Sequence, residues 1–262
     1  MPIFASYEEE NQTYWTKRAP SYSVVHQDEL HTAQHDVWSQ VLRNHIQRQF
    51  PQRVPQSIEV LEIGTGPGFF AIILAEQGYD VTAIDYTASM LEEAKANAGD
   101  LRTAIRFQQM NGENLSFPDQ SFDVIVTRNL TWNLPHPDQA YSEWTRVLRK
   151  GGLLLNFDAN WYRYLYDDTA RRGYEYDRNQ IAHEGVANET DGTDIPAMEA
   201  IAGKAPLSLR LRPDWDCEVL KNLGMTVHAD RHIWQTVWTR EERINNSSTP
   251  MFLVKAVKEG LL

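Results

Sequence analysis

The stretch 58–85 constrains this chain more than any other. Ile58, Val60, Leu61 and Ile63 form the short, β-branched apolar run of a buried strand. Gly64, Gly66 and Gly68 follow at alternate positions, where a chain can turn sharply and a ligand can approach bare backbone. Residues 69–77 then read as a helix stopped by Gly78, and 81–84 as a second strand ending in Asp85. Such a strand–loop–helix–strand unit places a ligand over a helix N-terminus. It also sets a carboxylate where a ribose hydroxyl pair would lie.

A dinucleotide fingerprint requires Gly-x-Gly-x-x-Gly, but Phe69 occupies the last of those positions. Pro67 also removes an N–H that a pyrophosphate would use. The loop reads instead as Glu62-x-Gly64-x-Gly66-x-Gly68, with an acid two residues before the first glycine. In that form it resembles motif I of the class I S-adenosylmethionine-dependent methyltransferases, of the small-molecule type. The resemblance implies that Glu62, Gly64, Gly66 and Gly68 seat the methionine part of the cofactor and that Asp85 holds its ribose.

Composition narrows the function classes. A net charge of −11 without a basic cluster disfavours a phosphate backbone, so nucleic acid is not expected as a partner. The single cysteine, Cys217, excludes an internal disulfide framework and a cysteine-rich metal site. No run has the apolar length of a membrane span, and residues 1–10 do not resemble a signal peptide. A cytoplasmic protein acting on a small molecule, without membrane contact, is the expectation.

Along the chain, residues 1–57 read as a helical cover. Within it, 28–50 carries Val37, Trp38, Val41, Leu42 and Ile46 at helical spacing. Tyr14, Trp15, Arg18 and Tyr22 either pack or, as the resemblance implies, close over the cofactor. After Asp85, Thr87 suits a helix cap by its side-chain oxygen. Asp85-x-Thr87-x-x-Met90-Leu91 again resembles the family, with Tyr86 as the expected adenine contact. A third strand, 105–110, leads to Asn111-Gly112-Glu113. Asn111 stands where the family has an adenine-binding Asp; its amide oxygen can still accept, and the Gly112 and Glu113 amides can serve the ring nitrogens. The stretch from Leu115 to Asp123 carries the same likeness further.

A fourth strand, 122–127, ends in a loop holding Asn129, Trp132, Asn133 and His136. Ligands sit at the carboxyl ends of strands in open α/β sheets, so this loop is a candidate for cofactor and acceptor contacts. Asn129 is assigned to the cofactor, Trp132 to the acceptor, Asn133 to both acceptor binding and chemistry, and His136 to chemistry. A fifth strand, 153–158, ends in Asp158, which could orient an amine or act as a base. Asn160, Trp161 and Tyr162 follow as acceptor contacts. Residues 161–212 form an inserted lid rich in tyrosine, and its acid excess fits either an amine acceptor or a solvated surface. A helix over 213–224 and a closing antiparallel hairpin, 226–233 with 251–257, return the chain to the sheet.

The expected architecture is therefore an α/β fold: a seven-stranded, mostly parallel, Rossmann-like sheet with helices on both faces and an antiparallel last strand. Its divisions are 1–57, 58–160, 161–212 and 213–262. The resemblance implies in-line methyl transfer from S-adenosylmethionine to a small molecule, a reaction of alignment and water exclusion that calls for no metal. Other use of the sulfonium, or sensing without turnover, remains open, as does a monomer against a homodimer.

Overall fold

The computed structural model describes residues 6–259; residues 1–5 of the expected cover and 260–262 of the last division lie outside it. Two helices come first, α1 (Tyr7–Leu30) and α2 (Ala33–Gln49). The core follows in alternation: β1 (Glu59–Ile63), α3 (Phe69–Glu76), β2 (Asp80–Asp85), α4 (Ala88–Asn97) and β3 (Ile105–Gln109). Then come β4 (Phe122–Arg128), α5 (Pro137–Val147) and β5 (Leu148–Asp158). Helices α6 (Asp168–Glu184) and α7 (Ile195–Ala202) occupy the inserted segment. The chain closes with α8 (Asp214–Asn222), β6 (Met225–Asp230), α9 (Trp234–Val237), α10 (Arg240–Asn245) and β7 (Phe252–Lys258).

The seven strands form one sheet in the order β3-β2-β1-β4-β5-β7-β6 among the described residues. Neighbours from β3 through β5 are parallel, and β7 alone runs antiparallel, to both β5 and β6. Both faces are covered, as a parallel sheet requires. Val60, Val124 and Leu155 enter one core with Trp38, Phe70 and Phe157. Their neighbours Leu61, Ile125 and Leu154 enter the other with Tyr141 and Trp144. The strict alternation is the period of two of a pleated strand.

The order reverses between β1 and β4, so the crevice at their carboxyl ends is the place for a ligand. The glycine loop and Asn129 flank that crevice. Helix α1 lies along α4 and α7 and roofs it from one side.

Several local expectations are revised. The cover is two helices that break at His31 and Thr32, and α1 carries Pro20 within it. Thr87 makes no side-chain cap; its own N–H donates to the Asp85 carboxylate at 2.8 Å. The link between β6 and β7 contains α9 and α10, the latter opened by a reciprocal capping box between Thr239 and Glu242.

Candidate active site

The first of two adjoining cavities is built around the glycine loop. Gly64, Gly66 and Gly68 all have positive φ, at +68°, +53° and +94°, conformations that L side chains rarely adopt. Their roles differ. A Cβ on Gly64 would lie 2.8 Å from Leu130, and one on Gly68 would lie 3.0 Å from Ala94, so these two permit close packing. At Gly66 a Cβ would meet only Tyr22, at 3.8 Å, and would project into the cavity. The bare backbone there is a cradle.

Opposite the loop, the Asp85 carboxylate accepts from the Gly66 N–H at 2.9 Å and from the Thr87 N–H at 2.8 Å. Burial pushes its carboxyl up to about 6, a rise the two amides oppose. Glu62 is pushed up to about 8, again by burial, while the Thr65 hydroxyl donates to it at 2.6 Å. Tyr86, Met90, Asn111, Gly112 and Glu113 complete the far end of the cavity. Asn111 Oδ1 accepts from the Glu113 N–H at 2.8 Å, which fixes this turn. Bare backbone at Gly66, a carboxylate set for vicinal hydroxyls and an apolar slot beside Met90 suit an adenosyl ligand with an amino-acid tail.

The second cavity begins where the first ends. Trp15, Tyr22 and Asn129 line both. Beyond them stand Trp132, Trp161, Tyr162, Tyr164 and Tyr174, contributed by the loop after β4 and by the inserted segment. The rings form a continuous wall. Trp132 lies 4.8 Å from Tyr162, Tyr162 5.9 Å from Tyr164, and Tyr164 stacks on Tyr174 at 4.1 Å. Asn129, at the junction, has φ +55° and a buried Oδ1 without a partner among the described residues. Strained backbone and an orphaned polar atom coincide there, a combination that clusters at functional sites.

Residues 61–156 match the family described as methyltransferase domain. A phosphatidylethanolamine N-methyltransferase of Cereibacter sphaeroides is 37% identical over 95 residues, covering 36% of this chain and 46% of that protein. The ubiquinone/menaquinone biosynthesis C-methyltransferase UbiE of Bartonella tribocorum is 38% identical over 119 residues, covering 42% and 46%. Over residues 61–156 the chain is thus similar to a methyltransferase domain. The solved structure of the CurJ carbon methyltransferase shares the fold, with a TM-score of 0.58 at 17% identity over 90% of this chain and 58% of that one. The chain spans about half the length of these two curated relatives. The family match ends at Asn156, before the inserted segment that walls the second cavity.

Within this methyltransferase fold the expected site residues separate into two groups. Glu62, Gly64, Gly66, Asp85, Tyr86, Asn111, Gly112, Glu113, Asn129, Trp15 and Tyr22 all border the first cavity. Trp132, Trp161 and Tyr162 border the second. Others lie elsewhere. Tyr14 packs in an apolar cluster with Trp132 and Met198, and Arg18 is held on the surface by Ser21. Gly68 serves helix packing, as above.

Asp158 is the main correction. It is fully buried in an ion network, 2.6 Å from Arg212, which also pairs with Asp216 at 2.7 Å. Its carboxylate further accepts from the Trp132 and Ala159 amides, so it shapes the loop rather than facing a ligand. Asn160 clamps the same strut, exchanging two hydrogen bonds with the Arg212 backbone. His136 borders neither cavity; its imidazole is 60% exposed and leans on Glu113 at 3.3 Å. Asn133 borders the first cavity and not the second. Its side chain is engaged by Tyr7 at 3.0 Å and Asn11 at 3.0 Å, which tie α1 across the opening.

Sequence reasoning missed a buried pair beside the glycine loop. Arg128 binds Glu29 of α1 through two bonds, of 3.0 and 2.7 Å, and its guanidinium lies 4.5 Å above the Phe69 ring. His26 sits against it, held near pKa 3 by burial and therefore neutral. The positive charge is thus committed to the cover helix. A lone Arg at the end of a β4-type strand is the only local signal, and its partner lies 99 residues away.

Proposed function

We propose that this chain is an S-adenosylmethionine-dependent methyltransferase that alkylates a small-molecule acceptor held in the aromatic cavity. The meeting of the two cavities at Trp15, Tyr22 and Asn129 carries this reading. A cofactor cradle alone would suit a sensor. A cradle that opens into a second, ring-lined chamber suits transfer between two bound molecules.

When bound, S-adenosylmethionine supplies a methyl group on a sulfonium: the acceptor's lone pair takes the methyl, the S–CH3 electron pair returns to sulfur, and any acceptor proton passes to water. The protein's part is alignment and exclusion of water. Asp85 and the bare Gly66 backbone set the position of the adenosyl end. Tyr7 and Asn11, bonded to Asn133, hold α1 across the opening. Trp15 and Tyr22 flank the junction with apolar ring surface, and burial raises the Tyr22 hydroxyl so that it stays neutral. Asn129 offers its unpartnered Oδ1 to a hydroxyl or amine hydrogen of the acceptor. No side chain placed at the junction is an ionised base, which favours acceptors that attack without one or that ionise on their own.

The relatives named for N- and C-methylation match only 36% and 42% of this chain, so their acceptors do not transfer with the match. The test is single-turnover incubation with methyl-labelled cofactor and a panel of small aromatic and amine metabolites. Label appearing in a methylated derivative of one of the added metabolites supports the reading. Tight cofactor binding with no label transferred to any of a broad panel would favour a sensor.

A further inference from the structure

The far end of the aromatic cavity carries two charged side chains of opposite sign, Asp177 and Arg178. Their surroundings are unequal. Asp177 is 1% exposed and its carboxylate accepts from the Ser247 hydroxyl, from the Ser248 N–H at 2.9 Å and from the Ser248 hydroxyl at 2.5 Å. Three donors commit its negative charge to the protein.

Arg178 is left open. Its Nη1 donates to Asn188 Oδ1 at 3.1 Å and its Nη2 to the Asn245 carbonyl, both neutral oxygens. Among the described residues its Nε–H is buried with no partner and Arg178 forms no ion pair. The guanidinium lies 5.1 Å from the Tyr174 ring, at the end of the ring wall that runs back through Tyr164 and Tyr162 to Trp132. Glu189 feels its charge through space, but that carboxyl is itself raised by burial and bound by Asn246 at 2.8 Å. Arg178 is half-buried, and a guanidinium drawn partly out of water with an idle donor favours a counter-charge nearby.

We infer that the acceptor is a flat aromatic molecule bearing a carboxylate, its ring lying along the Trp132–Tyr174 wall and its carboxylate received by Arg178. This rests on the assignment of the second cavity to the acceptor. It runs against the amine acceptor that the acidic composition of the inserted segment allows, because the buried Asp177 is already satisfied and the half-buried Arg178 has no ion pair among the described residues. Guanidinium takes a carboxylate oxygen in its own plane, and Arg178 lines the cavity wall. Ring stacking supplies the rest of the affinity without selecting a substituent.

The probes are three molecules on one ring: 6-hydroxy-2-naphthoate, 6-hydroxy-2-naphthylmethanol and 6-hydroxy-2-naphthylmethylamine. Each is titrated into the full chain saturated with S-adenosylhomocysteine, following quenching of the tryptophans, of which Trp15, Trp132 and Trp161 line the cavity. The naphthoate should bind at least tenfold more tightly than the methanol, and the protonated amine most weakly. Arg178→Gln should abolish the preference for the carboxylate while S-adenosylhomocysteine still binds as before. Arg178→Lys should restore part of it. Equal binding of the three probes, a preference for the amine, no binding by any of them, or a preference that survives Arg178→Gln would each overturn the inference. A chain that does not bind S-adenosylhomocysteine at all would instead overturn the cofactor assignment beneath it, and the two failures are read separately.

Discussion

The Asp85 carboxylate and the Gly66 N–H lie 2.9 Å apart, joining the tip of the second strand to the loop after the first. One hydrogen bond thus links the acid expected to hold a ribose to the backbone expected to face the cofactor. The same carboxylate accepts from the Thr87 N–H just before α4, so its position is fixed from two sides.

Asp85→Ala should weaken S-adenosylmethionine binding by more than tenfold, as about 1.5–3 kcal/mol of charge-assisted hydrogen bonding is lost. Calorimetry on the folded variant checks it, and unchanged affinity would remove Asp85 from the ribose site. The pH dependence follows from burial. The folded carboxyl titrates near 6 against an ordinary value of 3.8. Its contribution to stability is therefore present below about 3.8 and lost as pH rises through 6. Ligand affinity runs the other way, because hydroxyl donors need the ionised form: binding should tighten from pH 5 to 7. Asp85→Asn should flatten that rise.

The first two loop glycines should separate on mutation. Gly66→Ala has room beside Tyr22 and should fold with a penalty of about 1 kcal/mol for its left-handed backbone, yet lose cofactor affinity. Gly64→Ala meets Leu130 at 2.8 Å and should lose stability first. Urea unfolding beside ligand titration distinguishes them. Wild-type affinity in a folded Gly66→Ala protein would count against the cradle.

Asp158→Asn should act on stability and leave the pH profile of turnover in place. Its carboxylate is locked to Arg212 at 2.6 Å in a site closed to solvent. A midpoint shift in denaturant with an unaltered pH–rate curve is the expected pair of results. Loss of a basic limb from that curve would restore it as a base.

Glu29→Leu should leave Arg128 buried without its partner. Removing one side of such a pair typically costs about 3–5 kcal/mol. The two side chains are 10% and 11% exposed, so solvent gives little relief. A destabilisation under about 1 kcal/mol would mean that the cover helix is held mainly by other contacts.

What could be read from the chain beforehand follows from range. The strands, the glycine loop and Asp85 are local patterns: an apolar run, three glycines two apart, an acid at a strand end. Their placement in the sheet follows from the alternation of β and α, and the family resemblance reinforces it. Strand-end position alone points Asp158 toward a ligand, whereas its partner Arg212 lies 54 residues on, beyond any local pattern. Arg128 and Glu29, and Tyr7 with Asn133, were invisible for the same reason, at separations of 99 and 126. The inserted segment showed its tyrosines but not their order along a wall. That order depends on how the short turn Arg163–Leu165 packs against α6, which no periodicity in the segment records.

The central claim is that the glycine-loop cavity seats an adenosyl sulfonium cofactor. Calorimetric titration of the wild-type chain with S-adenosylmethionine, S-adenosylhomocysteine and NAD tests it most directly. The account predicts low-micromolar or tighter binding of the first two, about −8 kcal/mol, and none of NAD. Binding of NAD, or silence from both adenosyl ligands with the protein folded, would contradict it.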